Sequence, residues 1–580
     1  MKNIIENKIK EVLKNLGIED VSFAVEHPDD FSHGDYSTNV AMVCAKKIGQ
    51  NPKEFAEKLV LEMQKNLIST LPFGKGEGEG RGLISEIQIA GPGFINFYLS
   101  REFFTNKIKE ILDKKENWGK NEILTGKKVM VEYTDPNPFK PFHIGHLMAN
   151  AVGESISRIV EFSGAETIHA NYQGDIGLHV AKAIYGLNKF GLPDENKNVS
   201  EKAIYIGECY SKASNIYDDD ENVKKEIDEL NKKIFLKDES IKDVYNWGRE
   251  ITLEAFEIIY KLLDTKFKYY FFESEMVHTG EKIVRENIGK IFEESDGAVV
   301  FHGEKHDPKL HTRVFINSQG VPTYETKEIG LTLTKFEKEK DLDISIVTTA
   351  IEQADYMRVV QKAISLIYPE MEKKMKHVTH GMMKLSTGKM SSRKGNIITG
   401  ESLINDSISV VLEKIEERDF SEAEKKDISE KVGVSALRYS ILKSSLGSDI
   451  VYDFEKSISF DGDSGPYLQY TAVRANSILE KSKDFDLSDK EEIPSEIFEL
   501  EKNLYQFDEV VEKSYLNLEP HHIVKYLTGL ASSFNAFYGN TRILVVDNKY
   551  AKYHLDIIKA FYQTMENGLW LLGIKIPDKM

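Results

Sequence analysis

The chain has 580 residues, and at roughly 100–200 residues per domain that length predicts about three to five domains. Hydrophobic residues are 41% and charged residues 29%, which excludes wholesale disorder. The 76 Lys+Arg against 94 Asp+Glu leave a net charge of −18, which on its face opposes a protein that lives on nucleic-acid phosphates. Cys44 and Cys209 are the only cysteines. They exclude a disulfide scaffold and a four-cysteine zinc site, and read as buried thiols in a reducing compartment. No apolar run reaches the roughly 18 residues of a membrane span. The N-terminus reads as an amphipathic helix (Ile5, Ile9, Val12, Leu13, Leu16) rather than a signal peptide, so a cytoplasmic protein is expected.

Residues 1–115 read as a small α+β domain. After the opening helix come FSHGDYSTNVAM (31–42) and a helix near 52–68. The loop FGKGEGEGRG (73–82) lacks the Gly-Lys-Ser/Thr ending of a phosphate loop and reads as a hairpin tip. SEIQIAGPGFINFYL (85–99) has strand character around a Gly-Pro-Gly turn. KKVMVEYT (127–134) is a β-branched run suited to a buried strand. A proline-rich turn, DPNPFKPF (135–142), leads to a helical pattern from His143 to near Gly164, then to the strand ETIHANYQ (166–173). Strand–turn–helix–strand is the opening of a parallel α/β nucleotide-binding fold. Residues 185–270 read as a charged helical insertion and 298–317 as a hairpin. VTTAI (347–351), a helix at 354–367 and HVTHGMM (377–383) return to α/β alternation. The predicted catalytic domain is 120–400. From 401 to 580 apolar residues recur at three and four, predicting an all-helical domain.

Two segments carry chemistry. In PNPFKPFHIGH (136–146) the prolines fix the entry to a helix, and His143 and His146 share its first turn. Gly145 would let a ligand approach the backbone. Amides at a helix N-terminus favour phosphate, and two imidazoles there can donate to phosphate oxygens as charge builds. A metal site or a purely structural pair remains open for the histidines. The second segment is compositional: residues 373–396 hold seven basic residues and no acid. Its core, STGKMSSRKGN (386–396), is a cationic Gly/Ser-rich loop able to close on a triphosphate, or a solvated basic loop.

In this order and spacing, HIGH and KMSSR resemble the two signatures of class I aminoacyl-tRNA synthetases. VEYTDPNPFKPFHIGH resembles the arginyl version of the first. GDYSTNVAM (34–42) and GPGFINFYL (91–99) resemble that family's N-terminal additional domain, while GPYLQYTAVRANSI (465–478) and LGIKIPDKM (572–580) resemble its anticodon-binding domain. The resemblance implies a Rossmann-type catalytic domain and an arginine–tRNA ligase that forms arginyl-adenylate from arginine and ATP, with Mg2+ on the nucleotide, then charges tRNA(Arg). It implies no protein-bound zinc, no membrane, and a monomer as the family's common state. It places ATP along Pro136, Asn137, Pro138, Phe139, Lys140, Pro141, Phe142, His143, Ile144, Gly145 and His146, and along Met390, Ser391, Ser392 and Arg393. The fourth loop position is Ser392 where the generic motif has a second lysine. Arginyl enzymes lacking that lysine carry one just before HIGH, and Lys140 matches; Lys389 and Lys394 remain candidates for the outer phosphates.

A guanidinium is a permanent planar cation and demands acids. The resemblance places Glu132 and Asn137 at the substrate's α-amino end, Tyr324 and Glu328 at the guanidinium, and Gln353 as a further contact or a surface residue. Members often have aspartate where Glu328 stands. It also implies that ATP–pyrophosphate exchange needs tRNA. His302, His306 and His311 tempt a metal reading but read as exposed hairpin histidines. Tyr467, Gln469, Tyr470, Arg474, Phe534, Asn535, Phe537 and Tyr538 have the chemistry to hold anticodon bases, or form core stripes. Removing 401–580 is expected to abolish charging and leave an α/β domain. Other readings are a different class I synthetase, a small nucleotidyltransferase, or an inactive paralogue. Residues 401–580 carry 32 acids against 21 bases, so RNA binding there must rest on segregated cations or on stacking.

Overall fold

Five strands pair wholly in parallel, the arrangement in which helical crossovers connect strands running the same way. The computed structural model describes residues 1–67, 83–386, 399–485, 492–545 and 548–580. Across the sheet the order is Met375–His380, Ile344–Ala350, Lys128–Glu132, Glu166–Gln173, Tyr269–Phe272. From the far edge, in chain order, that is 3-2-1-4-5, the doubly wound arrangement. Helix Ile144–Phe162 crosses from the first strand to the second and lies so close that a Cβ on Gly153 would come within 2.1 Å of Tyr133.

The insertion is helical, as expected: Leu178–Phe190, Val199–Tyr217, Glu221–Phe235 and Lys242–Leu262. They bury their own core of Val180, Ile184, Ile206, Cys209 and Ile227. The hairpin of 298–317 is Ala298–His302 paired antiparallel with Thr312–Ile316, with Glu293–Ser295 as a third strand.

The chain divides into two compact units that do not follow its linear order. One holds Met1–Trp118, Arg474–Asp508 and Gly529–Met565; the other holds Gly119–Val473, Glu509–Thr528 and Glu566–Met580. In the first, a four-stranded antiparallel sheet carries helices Lys2–Asn15, Val40–Ile48 and Pro52–Leu67. Tyr505, from the helical region, fills that core beside Tyr36, Phe103 and Phe104. Arg101 pairs with the buried Glu501.

In the second unit the C-terminus braces the catalytic helix. Ser155 Oγ donates to the Leu571 carbonyl at 2.8 Å, Arg158 to that of Trp570 at 3.0 Å, and Gln469 Nε2 to that of Lys575 at 2.6 Å. Removing 401–580 would strip these hydrogen bonds from the helix. Among the described residues from 401 the regular structure is helical apart from Ile450–Tyr452, which pairs in parallel with Met383–Leu385. Cys44 and Cys209 are buried free thiols. No helix among the described residues is long and apolar enough to cross a membrane.

Candidate active site

Strand order reverses between Lys128–Glu132 and Ile344–Ala350, so the crevice beyond their carboxyl ends is where such a sheet takes its ligand. The chain leaves Glu132 on a constrained path. Thr134, Asp135 and Phe139 have φ of 81°, 47° and 66°. A non-glycine residue there costs on the order of 1–3 kcal/mol and persists only where its surroundings over-determine it. Asn150 Nδ2 donates to Thr134 Oγ1 at 3.0 Å, the Tyr172 amide to Asp135 Oδ1 at 2.8 Å, and the Gly174 amide to Asn137 Oδ1 at 3.1 Å.

The insertion grips the same turn. Buried Phe139 stacks on Tyr245, and a Cβ on Gly248 would come within 2.3 Å of its ring. Pro141 lies against Gly207, where a Cβ would meet it at 2.8 Å. Lys140, held between these two anchors, is half-buried, with Nζ 5.4 Å from the Tyr210 ring centroid.

His143 caps helix Ile144–Phe162. The His146 amide donates to His143 Nδ1 at 3.3 Å, and the His143 amide to His146 Nδ1 at 3.2 Å. The rings stack with centroids 3.4 Å apart. Since both Nδ1 atoms accept, each neutral ring carries its proton on Nε2. His143 has an open edge, but the surrounding protein mass and the Lys140 cation press it down to about 4. Burial, His143 and Lys140 hold His146 well below its ordinary value. At neutral pH the pair therefore presents two uncharged Nε2–H donors. A Cβ on Gly145 would come within 3.0 Å of the His143 ring. The glycine makes room for that imidazole.

Acids gather beneath the crevice. Glu132 Oε2 lies 2.7 Å from Lys335 Nζ, with side chains only 3% and 1% exposed. Burial and the Glu132 charge push Glu328 up to about 7, against the pull of Lys335, and push Asp135 well above the carboxylate range. Glu328 Oε1 is buried without a hydrogen-bond partner. Glu273 pairs with Lys327 at 2.6 Å, both buried. The Tyr172 hydroxyl is buried and unpartnered. Tyr324 opens the helix Tyr324–Lys338 with its ring largely exposed, and Gln353 sits exposed in the turn after Ile344–Ala350.

Lys389, Met390, Ser391, Ser392, Arg393 and Lys394 lie outside the described residues. The segment that follows them is tied to the first motif: Thr399 bridges His143, and the Gly400 amide donates to the Phe142 carbonyl at 2.8 Å. Sequence reasoning missed Asp135, Tyr172, Glu273 and Lys335. Lys335 alone left a signal, as a lysine seven residues after Glu328 on one helical face within IGLTLTKF (329–336).

The three hairpin histidines do not converge. His302 bonds Thr312, His306 stacks on Phe301, and His311 accepts from Arg313. Several of the proposed base-stacking residues are structural. Phe534 is stacked on Phe561 in the core, Phe537 is buried, and Gln469 is fully buried between backbone carbonyls.

Comparison with known proteins matches residues 107–454 to the catalytic domain of class I tRNA synthetases (R), 468–580 to the DALR anticodon-binding domain, and 3–99 to the arginyl-tRNA synthetase N-terminal domain. The chain is 32% identical to an arginine–tRNA ligase of Borreliella afzelii over 85% of this chain and 87% of that one. It is 31% identical to one of Clostridium perfringens over 100% of both. In fold it matches the arginyl-tRNA synthetase of Thermus thermophilus, with a TM-score of 0.77 at 22% identity over 100% of both chains.

Proposed function

The chain belongs to the class I arginyl-tRNA synthetase family, and from that premise we propose that it ligates arginine to tRNA(Arg) with its site residues dividing the work as follows. The arginine carboxylate attacks the ATP α-phosphate in line and pyrophosphate leaves with the nucleotide's Mg2+. The adenylate then passes arginine to the 2′-hydroxyl of the terminal adenosine. No protein nucleophile is needed, so catalysis is positioning and charge stabilisation. The Nε2–H groups of His143 and His146 donate to phosphate oxygens as negative charge develops, and Lys140 adds the fixed cation. Lys389, Lys394 and the rest of the loop are assigned to the outer phosphates. Asn137 and Glu132 take the α-amino group; Tyr324, Glu328 and Gln353 take the side chain. The helical region reads the anticodon, and the enzyme works in the cytoplasm as a monomer.

The observation that carries this reading is the pairing of neutral imidazole donors with buried carboxylates at one switch point. Glu132 and Glu273 are already paired with Lys335 and Lys327, which leaves the unpartnered Glu328 carboxyl, titrating at about 7, as the acid free for a cationic substrate group. Aminoacylation of total tRNA with each of the twenty amino acids is the test. Arginine alone should charge, and charging by another amino acid at comparable efficiency would refute the assignment.

Glu328 makes arginine recognition pH-dependent. Its carboxyl titrates at about 7, and a guanidinium needs the ionised form. Below that pH arginine must displace a proton, so its KM should rise about tenfold per unit of falling pH and level off above about 7. Glu328→Gln should raise KM at pH 8 and flatten the profile. A wild-type KM independent of pH between 5.5 and 7 would remove Glu328 from the guanidinium site.

A further inference from the structure

We propose that Glu519, His521 and His522 form a divalent-metal site of the zinc type, outside the residues assigned to the reaction. They lie in the turn between helices Phe507–Asn517 and His521–Asn540. Glu519 Oε2 is 3.0 Å from His521 Nδ1 and 3.7 Å from His522 Nε2. One donor atom from each residue lies within 4.8 Å of the others. Zinc bonds near 2.0–2.1 Å in tetrahedral geometry put donor atoms about 3.3 Å apart, and the two measured separations straddle that value. Two imidazoles and a carboxylate are a zinc donor set, and three protein ligands leave a fourth position for water.

The local structure gathers these donors and leaves the His521 Nδ1 lone pair without a hydrogen bond. Leu518 takes φ 54°, and the Glu519 amide donates to the Ser514 carbonyl at 3.0 Å, turning the Glu519 side chain back over the next helix. His521 Nδ1 is buried and makes no hydrogen bond, despite the carboxylate beside it. His522 Nε2 accepts from the Asn517 side-chain amide at 3.1 Å, which fixes its proton on Nδ1, and a metal ion would take the place of that amide donor. Lys513, Lys525 and the positive helix N-terminus oppose a dication, and the Glu519 carboxylate offsets them in part. Three protein ligands and these opposing charges make the site weaker than a closed four-ligand centre. A bound ion would join the end of one helix to the start of the next.

The test uses the full chain stripped of metal by a chelator. Zinc chloride is titrated in competition with a colorimetric indicator, and cobalt chloride is followed by its visible absorption. Wild type should bind one zinc per chain more than the His521→Ala/His522→Ala double variant, and Glu519→Gln should weaken that zinc about tenfold or more. Cobalt should give visible bands in wild type that the double variant lacks. Equal zinc stoichiometry and affinity in wild type and variant would overturn the site, even if other histidines bind metal. Circular dichroism establishes that each variant is folded. Should the double variant not fold, Glu519→Gln and His522→Gln taken singly carry the same comparison.

Discussion

Lys140→Ala is expected to slow arginine activation about 10²–10⁴-fold while tRNA affinity stays within about threefold. The magnitude follows from what the residue does. With Ser392 at the fourth loop position, the generic second lysine is absent, and on the proposed reading the turn before HIGH supplies the cation. The protein holds that cation in place: Phe139 and Pro141 are pinned on helices of the insertion, so Lys140 sits on a fixed base between them. Its charge already reaches the site, since it depresses His143, His146 and His179 and acts on Glu273. Lys140→Arg should recover part of the rate, because the charge remains while the donor geometry changes. Single-turnover adenylate formation separates this from a binding defect. A near-normal rate in Lys140→Ala would place the catalytic cation in the loop around Lys389 and Lys394 instead.

What the sequence disclosed, and what it hid, follows the range of the interactions involved. The strand at 166–173 and the helix at 354–367 were legible because periodicity and turn residues are local properties. The two histidines were legible because they share one helical turn. Asp135, Glu273 and Lys335 were not, because they meet only when separate strands and helices converge on the switch point. The aromatic stripe holding Phe534 and Phe537 left two readings open for the same reason, since helical spacing cannot tell a core face from a ligand face, and burial places both residues in the core. The reach of the helical region was hidden as well. A Tyr505 that completes the core of an N-terminal sheet, and a C-terminus that braces the catalytic helix, leave no mark on either segment's own pattern.

Arg438 joins these long-range effects, and Arg438→Ala is expected to cost about 3–5 kcal/mol of stability and most of the activity together. The guanidinium, on helix Glu422–Leu442, is fully buried. It donates to the carbonyls of Leu263 and Leu572 and, at 3.3 Å, to Asn150 Oδ1. Asn150 in turn donates to Thr134 Oγ1, a contact that holds the left-handed turn leading to Asp135 and HIGH. Gly573 has φ 69°, and a Cβ there would come within 2.1 Å of Arg438 Nη1, so the C-terminal segment is shaped around this side chain. Removing the guanidinium strands two carbonyls and an amide in a space water cannot readily fill, and it frees the strained turn to relax. Arg438→Lys should recover little, because one ammonium cannot reach three acceptors in different directions. Thermal unfolding and arginylation at low temperature measure the two effects separately. At a temperature where the variant is fully folded, activity should still be low, with kcat falling more than the KM for arginine. Wild-type kcat in the folded variant would mean that Arg438 only stabilises, and that the strained turn is held without it.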